Sequence, residues 1–257
     1  MSNVFRHSIA FGSMPIGNPA DISINMIEHI NRADVLVIEN HRQFAMIVET
    51  VNRLKLMTHA DISPSAIIYQ YQLENGQHHI DYINQRVVQE AETGKKILII
   101  SDEGASIFLE PMSQLKEHFD NRGLDYYFIP GPNSVISAVV SGTENVHQFY
   151  FGGNYQWVND EDKQIAFKMI NDFKKPVVFI LTAQGTPEYV QEILQNINIE
   201  CLFDFGINLS MEDEFHLEVN DKNIVKDFIQ SNPDMWEKDD DKKKCIITIH
   251  PRKMEKQ

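Results

Sequence analysis

Apolar residues in this chain come in short unbroken runs, and between the runs they recur at helical spacing. The runs at residues 8–11, 35–39, 66–71, 96–101, 126–129, 176–181, 201–208 and 245–250 read as strands. Lys96-Ile97-Leu98-Ile99-Ile100 shows no alternation of polar and apolar positions, as expected of a parallel strand buried on both faces. Amphipathic stretches at 24–30, 43–51, 79–93, 113–121, 134–140, 164–173 and 187–196 read as helices. Strand–helix alternation predicts an α/β fold with mostly parallel sheets and helices on both faces. The pattern loosens over 141–147 and restarts at Gln148-Phe149-Tyr150-Phe151-Gly152-Gly153. That break predicts two α/β domains, residues 1–143 and 144–257. The second ends in strands around 215–219 and 245–250 that suit antiparallel pairing.

Composition narrows the classes. A chain of 257 residues with 42% hydrophobic and 23% charged residues has enough apolar material for two cores. No apolar run approaches the ~20 residues of a membrane helix, and residues 1–7 lack the apolar stretch of a secretory signal. The expectation is a cytoplasmic protein with no membrane contact. Net charge is −14 at pH 7, which disfavours a broad phosphate-neutralising face. An RNA substrate would need a local basic patch, for which Arg42, Lys163 and Lys168 are the candidates. The tight group Lys242-Lys243-Lys244 follows Asp239-Asp240-Asp241 and reads as a solvated turn. Cys201 and Cys245 lie in apolar, strand-like segments and read as buried reduced thiols. No His/Cys/Asp spacing suits zinc, and the adjacent pair His78-His79 is poor geometry for one metal, so none is expected. Neither a phosphate-binding P-loop nor a Gly-x-Ser-x-Gly elbow is present.

Candidate chemistry gathers at strand ends. Pro15-Ile16-Gly17-Asn18 follows the first strand, Glu39-Asn40-His41-Arg42 the second, Ser101-Asp102-Glu103-Gly104-Ala105 the fourth and Pro130-Gly131-Pro132-Asn133 the fifth. The carboxyl ends of parallel strands are where open α/β sheets collect ligands. Asp102 either accepts hydrogen bonds from a ligand or caps the following helix. Gly104 permits close backbone approach. Pro132 and Asn133 belong to a rigid turn and helix start, with or without a ligand against it. Glu39 and Arg42 serve in proton transfer and substrate positioning, or pair with each other.

These loops, in this order, resemble the tetrapyrrole methylase superfamily of S-adenosylmethionine-dependent methyltransferases. They are most similar to the branch that 2′-O-methylates a cytidine ribose of small-subunit ribosomal RNA. That branch reads Thr-Pro-Ile-Gly-Asn-Leu-x-Asp-Ile-Thr where Met14-Pro15-Ile16-Gly17-Asn18-Pro19-Ala20-Asp21-Ile22-Ser23 stands here. Its Ala-Glu-Asp-Thr-Arg corresponds to Ile38-Glu39-Asn40-His41-Arg42. Its Ser-Asp-Ala-Gly-Thr-Pro corresponds to Ser101-Asp102-Glu103-Gly104-Ala105-Ser106, and its Pro-Gly-Pro-Ser to Pro130-Gly131-Pro132-Asn133. The resemblance implies two α/β domains with S-adenosylmethionine in a ligand cleft between them, usually in a homodimer. The donor would meet Pro15, Ser101, Asp102, Gly104, Ala105, Pro132 and Asn133. Glu39 would take the acid/base or positioning role and Arg42 would orient the substrate.

The second half departs from the branch. Where its Phe-Tyr-Glu-Ser-Pro-His-Arg belongs, this chain has Phe179-Ile180-Leu181-Thr182-Ala183-Gln184-Gly185, without Glu, His or Arg. A later Glu-Leu-Thr-Lys becomes Asn208-Leu209-Ser210-Met211, followed by Glu212. Two other expectations therefore stand beside RNA methylation: methyl transfer to a small molecule, and a catalytically inactive member that binds a protein partner.

Overall fold

The computed structural model describes residues 5–54, 65–71, 76–105, 112–142, 144–236 and 244–252. Residues 106–111 of the third loop and the Asp239–Lys243 part of the charged turn lie outside them. The chain forms two compact units, Met1–Asn133 and Ser134–Gln257. The division falls ahead of residue 143, so the helix that follows the Pro-Gly-Pro turn belongs to the second unit. Among the described residues no helix is long and apolar enough to cross a membrane.

In the first unit, strands β1 (Ile9–Gly12), β2 (Val35–Ile38), β3 (Ile67–Gln70), β4 (Ile97–Ile100) and β5 (Tyr126–Ile129) form one sheet in the order β3-β2-β4-β1-β5. All four ladders are parallel. Helices α1 (Ile24–Arg32) and α2 (His41–Leu54) cover one face, where Met26, Ile27, Ile30, Phe44 and Ile47 meet Leu36, Leu98 and Ile100. Helices α3 (Gln77–Glu92) and α4 (Ser113–Arg122) cover the other, where Ile83, Val87, Leu115 and Phe119 meet Val35, Ile97 and Ile99. With a core on each face, β4 needs an apolar side chain at every position, which is why its pattern does not alternate. Burying each such side chain contributes about 1.5–3 kcal/mol. Local signals set the helix ends: the Ser23 hydroxyl accepts from the Met26 N–H at 3.1 Å, and Gly123 closes α4 at φ 64°.

The second unit opens with α5 (Ser134–Ser141), then β6 (Tyr150–Asn154), α6 (Asp160–Asn171), β7 (Val177–Thr182), α7 (Thr186–Asn196), β8 (Cys201–Ile207), β9 (Phe215–Val219), α8 (Lys222–Ser231) and β10 (Lys244–Pro251). Its sheet runs β6-β7-β10-β8-β9. Only β6 and β7 pair in parallel; β10 is antiparallel to β7 and β8, and β8 to β9. Of the eight ladders among the described residues five are parallel, and four of those five belong to the first sheet. The β8–β9 connection, residues 208–214, is too short for a crossover, so those two strands must run antiparallel. One face of this sheet packs Phe179, Phe203, Phe205, Ile247 and Ile249 against Phe167, Ile170, Ile193 and Val225 of the helices. Both cysteines are buried there and free. Helix α5 lies against β7, β8 and β10.

Candidate functional site

Register brings the strand-end loops of the first sheet level with one another. Gly12 pairs with Ile100 and with Ile129, and Ile38 pairs with Ile100. The next residues of four strands, Ser13, Glu39, Ser101 and Pro130, therefore leave the same edge side by side. Sequence order alone does not imply this neighbourhood: β4 inserts between β1 and β2, and only that insertion sets the loop after β4 beside the loops after β1 and β2.

Hydrogen bonds then tie loop to loop. Ser13 donates from its backbone N–H (3.2 Å) and its hydroxyl (3.0 Å) to the Ile129 carbonyl. Met14 and Gly104 exchange two backbone bonds of 2.9 and 3.0 Å. The Ser101 hydroxyl reaches the carbonyls of Glu103 and Gly104 at 3.2 and 3.3 Å, which tightens the turn. Gly104 has φ 66°, a conformation that costs most other residues about 1–3 kcal/mol. A Cβ on it would stand 3.5 Å from Ile16 Cγ2 and 3.8 Å from the Pro132 carbonyl oxygen. Three loops thus converge on this glycine. At Gly131 the space is smaller still, since a Cβ would come within 2.7 Å of Ser13 Cβ.

Asp102 has a role that spacing alone did not predict. Its Oδ1 accepts from the Asn40 backbone N–H at 2.9 Å, so it holds the start of α2, a helix that precedes it in sequence. Asn40 in turn accepts from the Arg42 N–H at 3.0 Å through its side chain and from the Phe44 N–H at 3.0 Å through its carbonyl. Glu39 Oε2 accepts from the Asp102 N–H at 3.4 Å. Glu39 and Asp102 therefore lie together, whereas no Glu39–Arg42 pair exists among the described ion pairs; Arg42 is exposed on the first turn of α2. Pro15 is buried, and Ala105, Pro132 and Asn133 are half-buried. Beneath Ser101 and Asp102 a cavity of about 10 Å³ is lined by Met14, Ile38, Phe44, Ile47 and Ile100, room for one water at most. Ser13 and Asn40 were not among the candidates, although both sit in the quoted motifs or directly before them.

The chemistry of this edge is selective. It offers main-chain groups, the carboxylates of Glu39, Asp102 and Glu103, and one nearby guanidinium. Such a set suits a ligand that carries positive charge and hydrogen-bonds like a peptide, and it suits a polyphosphate poorly. S-adenosylmethionine, with its sulfonium and ammonium groups, is of the first kind, so the residues present fit it. Among the described residues no group of three or more His, Cys, Asp or Glu side chains could hold a metal ion.

The family model of the tetrapyrrole (corrin/porphyrin) methylases matches residues 9–203. The chain belongs to the tetrapyrrole methylase family. Among curated relatives, the ribosomal RNA small subunit methyltransferase I of Mesomycoplasma conjunctivae is 30% identical over 173 residues, 67% of this chain and 64% of that protein. The protein of the same name from Helicobacter pylori is 23% identical over 189 residues, 72% of this chain and 63% of its own. The chain thus spans a little under two thirds of the length of these relatives. Among solved structures, a diphthine synthase superposes with a TM-score of 0.65 at 13% identity, covering 95% of this chain and 90% of that one. The uroporphyrin-III C-methyltransferase of Thermus thermophilus, complexed with S-adenosylhomocysteine, gives 0.59 at 10% identity, covering 93% and 96%. At these identities the structural likeness shows the family's fold.

The second unit of this tetrapyrrole methylase has its own strand-end loops. After β7 the Thr182 carbonyl accepts from the Thr186 hydroxyl at 2.8 Å, and residues Ala183–Gly185 form a single turn that leads into α7. After β8 the chain turns sharply through Asn208 and Ser210, at φ 51° and 68°. Asn208 Nδ2 donates to Asp213 at 2.8 Å, which fixes a loop carrying Glu212, Asp213 and Glu214. The sheet also holds a group that sequence reading missed: Asp204, Thr248 and His250, buried on the face away from the main core. The signal was available, since an Asp inside the run Cys201-Leu202-Phe203-Asp204-Phe205 is out of place in a buried strand.

Proposed function

We propose that this chain binds S-adenosylmethionine at the carboxyl edge of its first sheet and transfers the methyl group to a hydroxyl, with the 2′-oxygen of an RNA ribose as the acceptor. The convergence of three loops on Gly104, with the Glu39-Asn40 loop tied to Asp102 beside it, carries this reading, and the names of the curated relatives support the acceptor. When bound, the donor supplies an electrophilic methyl on a sulfonium. Pro15, Ser101, Asp102, Gly104, Ala105, Pro132 and Asn133 would hold it, mainly through main-chain groups. The chain's task is then positional, because a displacement is governed by approach geometry. Glu39, fixed by the Asp102 N–H, is the carboxylate available to take the acceptor's proton. Arg42, exposed beside it, would steer a phosphate. A homodimer is part of the proposal.

A second reading, transfer to an acceptor other than RNA, draws on the second unit. Its loop after β7 lacks the branch's Glu, His and Arg, and its loop after β8 presents three carboxylates where a polyanion would be repelled. A member that only binds a partner would keep the donor site and lose transfer. Calorimetric titration with S-adenosylmethionine and S-adenosylhomocysteine tests the donor site: micromolar binding supports it, and no binding to folded, ligand-free protein refutes it. Transfer of labelled methyl to small ribosomal subunits that lack the modification tests the acceptor. Binding without transfer to RNA would favour the second reading, and light scattering reads the dimer.

A further inference from the structure

The second unit buries a polar group that the proposed reaction does not use. Antiparallel register sets Thr248 of β10 directly opposite Asp204 of β8. Their strand neighbours Phe203, Phe205, Ile247 and Ile249 enter the main core, so Asp204, Thr248 and His250 point to the opposite face. They are 5, 1 and 6% exposed. Asp204 Oδ2, Thr248 Oγ1 and His250 Nε2 have no hydrogen-bond partner among the described residues. Helix α5 packs against these strands, and the residue after it closes over the acid: a Cβ on Gly142 would stand 2.0 Å from Asp204 Oδ2. Only glycine leaves room for the carboxyl group there.

That placement makes the charged form costly. Among the described residues Oδ2 has no donor, and it lies by the carbonyl end of a helix, where negative charge is disfavoured. The charged groups that act on it are His216 and Glu218 of β9. His250 of β10 shares its face and is itself influenced by Glu144, just beyond α5, and by Glu218. Neither β7 nor α5 contributes a titratable side chain. Burial outweighs His216 and pushes the Asp204 carboxyl up to about 6. An ionised Asp204 would gain water by displacing its cover, and the cover is the end of α5. The other end of that helix springs directly from the Pro132-Asn133 turn.

We propose that Asp204 is a positioning residue for the donor site: protonated, it lets α5 seat on the sheet, and ionised, it loosens α5 and the Pro132-Asn133 turn that the helix carries. The inference rests on the donor site proposed above, but its first test does not. Hydrogen exchange of residues 130–142 is compared between the full-length protein and Asp204→Asn, at about pH 5 and about pH 7.5. Near pH 7.5 the unaltered protein should exchange roughly tenfold faster than the variant, and near pH 5 the two should match. Equal exchange at the higher pH overturns the proposal. His250→Gln should keep the pH step; its loss there would assign the step to the histidine and overturn the role of Asp204. Should Asp204→Asn not fold, Gly142→Ala gives the decision, because its methyl group must displace the helix end. Fast exchange at both pH values supports the proposal, and protection equal to that of the unaltered protein overturns it. With S-adenosylmethionine as probe, affinity should fall several-fold between the two pH values in the unaltered protein and stay level in Asp204→Asn. Absence of binding by either protein would refute the donor site, while the exchange result would still judge Asp204.

Discussion

At the carboxyl edge of the first sheet the polar groups of each loop are taken up by the next: Ser13 by Ile129, Met14 by Gly104, Asn40 by Asp102 and Asp102 by Glu39. On the α5 face of the second sheet, Asp204, Thr248 and His250 are buried and lack such partners among the described residues. The difference has opposite energetic signs. A hydrogen bond to a carboxylate contributes about 1.5–3 kcal/mol, so the first arrangement stabilises the unit that contains it. Burying a polar group without a partner costs about 1–3 kcal/mol, so the second lowers stability. Polar groups that a fold keeps at a cost are candidates for function. The first unit pins its loops through saturation, and the second leaves a titratable strain beneath one helix.

The largest effect is expected where the saturated edge is cut. Asp102→Ala strips the Asn40 N–H of its acceptor and frees the start of α2. It should cost about 1.5–3 kcal/mol in urea denaturation and weaken S-adenosylmethionine binding at least about tenfold. Asp102→Asn keeps an acceptor oxygen in place and should recover most of the stability. If Asp102→Ala were as stable as the unaltered protein, the edge would not be held by these bonds.

Asp204→Asn should act in the opposite direction. The acid's rise from an ordinary 3.8 to about 6 means that the fold favours the proton. Its contribution is therefore complete below about pH 3.8, falls as pH rises toward 6, and is absent above that. The rise sets a ceiling of about 3 kcal/mol on the difference. At about pH 7.5 the variant should be more stable by about 1–3 kcal/mol, with the gap closing near pH 4, as read from denaturation midpoints at both pH values. A gap that did not change with pH would mean that packing, not charge, separates the two proteins.

How much of this was legible beforehand follows from what each feature depends on. The strands β1, β2 and β4 are plain in sequence because a parallel strand buried on both faces must be apolar throughout; β5, at the sheet edge and only partly buried, is legible from its aromatic run instead. β6 is harder to read, because Gly152 and Gly153 interrupt it and its register shifts between Phe151 and Gly153. α8 buries only Val225 and Ile229, a stripe too short to stand out. At the site, Glu39, Asp102, Gly104 and Pro132 were visible as loop residues. The bond from Asn40 to Asp102 was not, because it depends on β4 lying beside β2, and strand order is a long-range choice. The same limit hid the Asp204 group, which exists only because β10, the last strand in sequence, pairs with β8.

A bond inside the first unit gives a smaller, calibrating effect. His29 is buried; its Nδ1–H donates to the Asn25 carbonyl at 2.7 Å, so its Nε2 accepts from the Tyr127 hydroxyl at 2.6 Å. Burial holds its pKa below the usual 6.5. The stability linked to this neutral histidine is therefore present above pH 6.5 and lost as pH falls below it. Tyr127→Phe removes a satisfied donor and should cost about 1–1.5 kcal/mol near pH 7.5. No loss would mean that saturation does not stabilise this unit away from its loops either.

Thr248→Val is the smallest change and the most direct test of the contrast. Valine has nearly the shape of threonine, so packing between β7 and β8 is kept while the hydroxyl is lost. At the loop edge of the first unit, removing the Ser13 hydroxyl breaks a bond and should destabilise. Here Thr248 is 1% exposed and its Oγ1 has no partner among the described residues. Its removal should therefore raise stability by about 1 kcal/mol, a shift measurable in the urea midpoint at unchanged slope. A loss of similar size would show that Thr248 donates to its cross-strand neighbour Asp204. Asp204→Asn separates the two cases, because a carboxylate accepting from Thr248 would lose stability on substitution above pH 6, where an isolated one gains it.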